Sequence, residues 1–121
     1  MSVRLRFESD TATRWSLGPG PGPSGGALTF NISTAGDWRF IYGTDGKPGA
    51  GMTGTIHGGV SLHQWHDVNL LYSTSWMAAV FDGAVLANYT GGGCGSKWHL
   101  MMQMDAYVTA AIDDFTLQTL P

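Results

Sequence analysis

Gln64-Trp65-His66-Asp67-Val68-Asn69-Leu70 decides how this chain is read, together with the Phe81-Asp82-Gly83 that follows it. A Trp-His pair opens an alternating run, a second apolar run follows, and an Asp-Gly turn closes it. Strand pairs have this pattern when one face packs into a core and the other meets water. Asp-Gly is also a favoured two-residue connection in tight hairpins.

Period-two patterns recur outward from this segment, and none has the 3.6-residue period of a helix. Val3, Leu5 and Phe7 face one way, with Arg4 and Arg6 opposite. Leu28, Phe30 and Ile32 make a second apolar face, and Trp38, Phe40 and Tyr42 a third after the Ala35-Gly36 turn. A short strand is expected around Met52 to Ile56, then Val68-Leu70-Tyr72, Met77-Ala79-Phe81 and Val85 to Tyr89. A final pair, Leu100 to Met104 and Ala111 to Leu117, brings the expectation to about nine strands. The tract Gly18-Pro19-Gly20-Pro21-Gly22-Pro23-Ser24-Gly25-Gly26 reads as a loop that ends regular structure. Evenly spaced strands with turn signals predict an all-β fold, an antiparallel two-sheet β-sandwich or jelly roll. Val3, Leu5, Phe30, Phe40, Trp65, Leu70, Phe81, Phe115 and Leu117 are its expected buried residues, and Trp38 also falls in apolar alternation.

At 121 residues the chain is expected to be one domain, residues 1–121. A formal charge of −3 with no run of Lys or Arg argues against a nucleic-acid partner. The apolar stretch Met77 to Phe81 falls far short of the roughly 20 residues a membrane helix needs. Met1 leads directly into the alternating Val3-Arg4-Leu5-Arg6-Phe7, so the chain reads as a mature or excised domain rather than one opening on a signal peptide. Cys94, the single cysteine, excludes an intramolecular disulfide and reads as a quiet thiol in a glycine-rich loop.

Glycoside hydrolysis needs two carboxylates roughly 5 to 10 Å apart across the scissile bond. The chain has one glutamate, Glu8, and eight aspartates, and no strand carries acids at alternate positions. Asp113 and Asp114 are adjacent, so on a strand they point to opposite faces. His63 and His66 share no strand face, and no third ligand stands at a fixed spacing, which argues against zinc. The tryptophans are more suggestive, since sugars stack their C–H faces on indole, although core packing uses the same residues. Trp15 precedes the Gly-Pro tract and Trp98 follows the Gly-rich loop. With Trp76 and Asn88 they form the candidate carbohydrate-binding set. Asn31-Ile32-Ser33 and Asn88-Tyr89-Thr90 match the glycosylation pattern, a short match that arises readily by chance. In a jelly roll the first and last strands are commonly neighbours, which would bring Glu8 and Asp10 near Asp113. Calcium is the expected way to neutralise such a group and pin the two strands together.

Gly36-Asp37-Trp38-Arg39-Phe40, Gln64-Trp65-His66-Asp67-Val68-Asn69-Leu70 and Ala110-Ala111-Ile112-Asp113-Asp114-Phe115 resemble the concanavalin A-like lectin/glucanase superfamily. Within it the chain is most similar to the C-terminal lectin-like domain of galactocerebrosidase-type glycoside hydrolases. The resemblance spans roughly residues 25 to 120, with Ile112 in place of the family's aromatic and Asp114 in place of its Asn. It implies a β-sandwich that works beside a catalytic barrel absent from this chain, so no catalytic residue carries over. The function it implies is non-catalytic carbohydrate binding, of galactosides among others, in a secreted, lysosomal or otherwise extracytoplasmic setting. Two other classes stand beside it. One is an assembly module that contacts a catalytic domain or second subunit through apolar sheet faces, as in the Met-rich Leu100-Met101-Met102-Gln103-Met104. The other is an enzyme that would have to assemble Glu8, Asp10, Asp37 or Asp67 with an Asp from another strand.

Overall fold

The computed structural model describes residues 1–9, 14–20, 27–43, 51–73, 76–90, 99–104 and 109–118. They form ten strands and no helix: β1 (Ser2–Phe7), β2 (Arg14–Gly20), β3 (Ala27–Ser33), β4 (Asp37–Gly43), β5 (Gly51–Thr55), β6 (His66–Tyr72), β7 (Trp76–Phe81), β8 (Ala84–Thr90), β9 (His99–Met104) and β10 (Ala110–Thr116). These make two five-stranded sheets, ordered β10-β1-β6-β7-β8 and β5-β4-β3-β2-β9. Every pairing is antiparallel. The expected two-sheet sandwich is what the chain adopts.

The core lies between the sheets. Val3, Leu5, Phe7, Val68, Leu70, Met77 and Phe81 come from the first, and Trp15, Phe30, Ile32 and Phe40 from the second. Burying each such side chain is worth about 1.5–3 kcal/mol. Alternate positions on each strand therefore point inward and leave the intervening residues on the outer faces. Asp82 and Gly83 close the β7–β8 hairpin with φ of 47° and 80°, the pair of positive values a type I′ turn requires.

Four expectations need correction. The Gly18-Pro19-Gly20 segment does not end regular structure, because β2 runs through it and pairs there with β9, after pairing with β3 up to Leu17. The last two strands do not pair with each other: β9 joins β2 in one sheet and β10 joins β1 in the other. Phe115 and Leu117 are 40% and 51% exposed. The register of β10 slips against β1 between Ser2 and Arg4, opposite Asp114 with its φ of 51°, and this bulge breaks the alternation that placed both inward. Trp65 is only half-buried, since Val68 and Leu70 point inward and period two then sends His66 inward and Trp65 out. Its indole lies beneath two cations, with the guanidinium carbons of Arg4 and Arg6 at 5.2 and 4.7 Å from the ring centroid.

The crossing from β5 to β6 carries the chain from one sheet to the other and is pinned along its length. Ile56 N–H donates to Gly36 O (2.9 Å), Val60 N–H to Thr34 O (2.9 Å) and His63 N–H to Phe7 O (2.9 Å).

Candidate functional site

Phe30, Phe40 and Met52 stand opposite one another on β3, β4 and β5 and face the core. The next residues along those strands, Asn31, Arg39 and Thr53, are also register partners, and alternation turns them to the outer face. Asp37 and Thr55 form the neighbouring cross-strand pair on that face. These five side chains, with Trp38 and Gly54, line an open depression of about 330 Å³. Short apolar-polar alternation on three adjacent strands thus builds a polar patch on a rigid sheet.

Hydrogen bonds within the patch fix its polarity. Ser16 Oγ, on β2, donates to Asn31 Oδ1. One lone pair of that oxygen is thereby used, and the Asn31 amide N–H groups remain as donors. Thr55 Oγ1 donates to Asp37 Oδ1 at 3.1 Å, leaving the second carboxylate oxygen as an acceptor. Trp38 packs over Gly54, its register partner, where an added Cβ would lie 2.5 to 2.8 Å from the ring. Arginine, amide, hydroxyl and carboxylate side chains together on one sheet face have the makings of a shallow site for a polyhydroxylated ligand.

The residues singled out from sequence are scattered. Trp15 is 0% exposed, so its indole offers no face to a ligand and serves the core instead. Its Nε1 has no hydrogen-bond partner. Trp76 and Asn88 are brought together: Trp76 Nε1–H donates to Asn88 Oδ1 at 2.8 Å. They share the outer face of the other sheet, away from the depression. Trp98, Asp10 and Cys94 lie outside the described residues.

β1 and β10 are neighbours as expected, but Glu8 and Asp113 do not converge, because Asp113 stands opposite Arg4. Bases supply the neutralisation that the sequence had left open. Glu8 is paired with Arg6 and with His63 Nδ1 (3.0 Å), and these bonds hold its carboxyl below the usual glutamate value, the His63 bond having the larger effect. Arg4 reaches Asp67 at 3.8 Å and Asp114 at 3.7 Å, loose exposed pairs of the kind worth about 0–1 kcal/mol. Among the described residues no three His, Cys, Asp or Glu side chains are grouped to hold a metal ion.

Among the described residues His66 is the one buried titratable side chain, 7% exposed and stacked on Phe81 with centroids 5.2 Å apart. Its Nδ1 lies 2.7 Å from Asp82 Oδ2, and its Nε2 2.9 Å from Ser61 O. Asp82 Oδ1 accepts from Asp67 N–H at 2.8 Å. Both ring nitrogens are thus occupied in tying the β5–β6 crossing to the β7–β8 turn. The geometry makes His66 a clasp, which agrees with the hydrogen-bonding role its place at the strand start suggested.

Sequence reading missed Arg39, Thr53 and Thr55 because it followed the apolar positions. The polar positions between them carried the signal, but only the register of three strands shows that they meet.

No protein-family model and no curated protein matches the chain. Among solved structures it is similar to sheep galectin-11 in complex with glycerol, with a TM-score of 0.69 and 14% sequence identity. The match covers 93% of this chain and 85% of that one. The likeness is one of fold: this chain is a galectin-like sandwich of two antiparallel sheets.

Proposed function

We propose that the chain is a non-catalytic carbohydrate-binding module that holds its sugar on the outer face of the β5-β4-β3-β2-β9 sheet. Galactosides are the expected class. The observation that carries this is the depression itself, where Asn31, Arg39 and Thr53 from three neighbouring strands stand in one row beside Asp37 and Thr55. The likeness to a galectin solved with glycerol, a small polyol, supports it. Several described carboxylates are already engaged in ways that suit a binding role: Glu8 with Arg6 and His63, Asp82 with His66, and Asp37 with Thr55. The resemblance to galactocerebrosidase-type hydrolases extends the proposal to a module that works beside a catalytic domain.

Affinity is expected to be weak, because an open depression buries little of a ligand and each sugar hydroxyl exchanges water partners for protein ones. A glycan array followed by titration calorimetry tests the proposal. Asn31→Ala and Thr53→Ala should abolish binding in folded protein. Trp76, held by Asn88 on the opposite sheet, is the rival platform: loss of binding in Trp76→Ala alone would move the site there. Absence of binding to every glycan by folded protein at millimolar ligand would overturn the proposal.

A second function has its own observation. Val85, Phe115 and Leu117 are exposed large hydrophobics on or just beyond β8 and β10, the two edge strands of one sheet. Edge strands with apolar side chains favour pairing with another chain. An assembly module would show concentration-dependent mass in sedimentation, reduced by Val85→Lys.

A further inference from the structure

We infer that the sugar held in this depression carries an anionic group, a carboxylate or a sulfate, seated on Arg39; this rests on the carbohydrate-binding reading above. The arginines whose side chains are described divide sharply. Arg4 pairs with Asp67 and Asp114, and Arg6 with Glu8. Arg39, exposed on the outer face of β4, makes no ion pair and no hydrogen bond among the described residues. Asp37 lies two positions away on the same strand face, yet it is bonded to Thr55 instead.

The row through Arg39 is rich in donors. Guanidinium brings five N–H groups and accepts nothing. Asn31 beside it has one lone pair of its oxygen taken by Ser16 and keeps its amide hydrogens, and Thr53 completes the row on the other side. A neutral sugar hydroxyl can accept too, but it always leaves a donor of its own to place. A carboxylate or sulfate accepts only, matches the planar guanidinium fork with two parallel bonds, and carries the opposite charge.

Asp37 limits where that anion can sit. It would repel one placed over the Asp37–Thr55 pair, so the anionic group belongs on the Asn31–Arg39–Thr53 row, with a sugar hydroxyl donating to the free oxygen of Asp37. The ligand is then an acidic sugar with a hydroxyl next to its charged substituent.

Titration calorimetry with methyl β-D-galactopyranoside, its 3-O-sulfate and D-galacturonate tests this at low and at 0.5 M sodium chloride. An anionic sugar should bind about tenfold more tightly than the neutral one, the gap closing in high salt. Arg39→Gln should erase the preference and Arg39→Lys should keep part of it, with far-ultraviolet circular dichroism confirming the fold. A response to the sulfate or to the carboxylate alone identifies which anion fits and supports the assignment. Equal binding of neutral and acidic sugars, or a preference that survives Arg39→Gln, overturns it while leaving carbohydrate binding intact. No binding of any of the three sugars by wild type, together with a silent array, overturns both.

Discussion

Gly54→Ala offers a test in which two opposing effects have comparable size. The new Cβ would lie 2.5 Å from Cζ2, 2.6 Å from Cε2 and 2.8 Å from Nε1 of Trp38, all under the 3.0 Å that real Cβ contacts respect. The indole has to withdraw, and overpacking of this kind costs about 1–3 kcal/mol. Against it stands the gain from a stiffer unfolded chain, about 0.4–1 kcal/mol when Ala replaces Gly in a conformation Ala tolerates. The clash wins, so Gly54→Ala should destabilise by about 1–2 kcal/mol. For a domain of this size that lowers Tm by about 4–8 °C. In a Trp38→Leu background the ring atoms are gone, and the same substitution should become neutral or stabilising. Urea unfolding of the four proteins, followed by circular dichroism, gives a coupling energy of about 2 kcal/mol. An equal loss in both backgrounds would refute the assignment of Gly54 to the space of the Trp38 ring.

Trp15→Ala should cost about 3–5 kcal/mol as a core cavity, and if the folded fraction is isolated it should bind glycans as wild type does; a folded, stable variant that has lost binding would contradict its burial. Gly36 has a φ of 90°, and a Cβ there would meet Ile56 O at 2.6 Å, so Gly36→Ala should be strongly destabilising where Gly58→Ala, with open space around it, pays only for its positive φ. Because Glu8 has its carboxyl lowered by His63 and Arg6, its contribution to stability is present above the ordinary value of 4.5 and is lost as the pH falls through the folded one. The Tm gap between wild type and Glu8→Gln should therefore be present at pH 7 and close as the pH falls below 4.5 and through the lowered folded value; a gap that widens in acid would reverse the assignment.

The layering of this fold was legible wherever alternation ran unbroken. Val3-Leu5-Phe7, Val68-Leu70 and the Asp82-Gly83 turn each state their own geometry within a few residues, and the structure follows them. The failures share a cause, which is that the deciding partner lies far away in sequence. Trp15 looked like a loop tryptophan until β9 and β3 were found on either side of β2. Phe115 was misplaced by a bulge that exists only in the register of β10 against β1. The candidate site is the extreme case, since Asn31, Arg39 and Thr53 are ordinary surface residues singly and become a site through the register of three strands.

Pro19 has a further consequence during synthesis. It sits inside β2 opposite Leu100, beyond the Leu17–Phe30 end of the pairing with β3, so that β9 alone is its register partner and the position has the edge character a proline tolerates. Its partner strand is made some 80 residues later, and β1 waits still longer for β10: Thr109 N–H reaches Ser9 Oγ across a separation of 100 residues. At about 5–20 residues per second, the free side of β2 stands unpaired on the ribosome for about 4–16 s, a window in which neighbouring nascent chains on one message compete for it. A proline within that strand leaves one fewer N–H for a wrong partner to take, which disfavours mispairing of the half-made sheet.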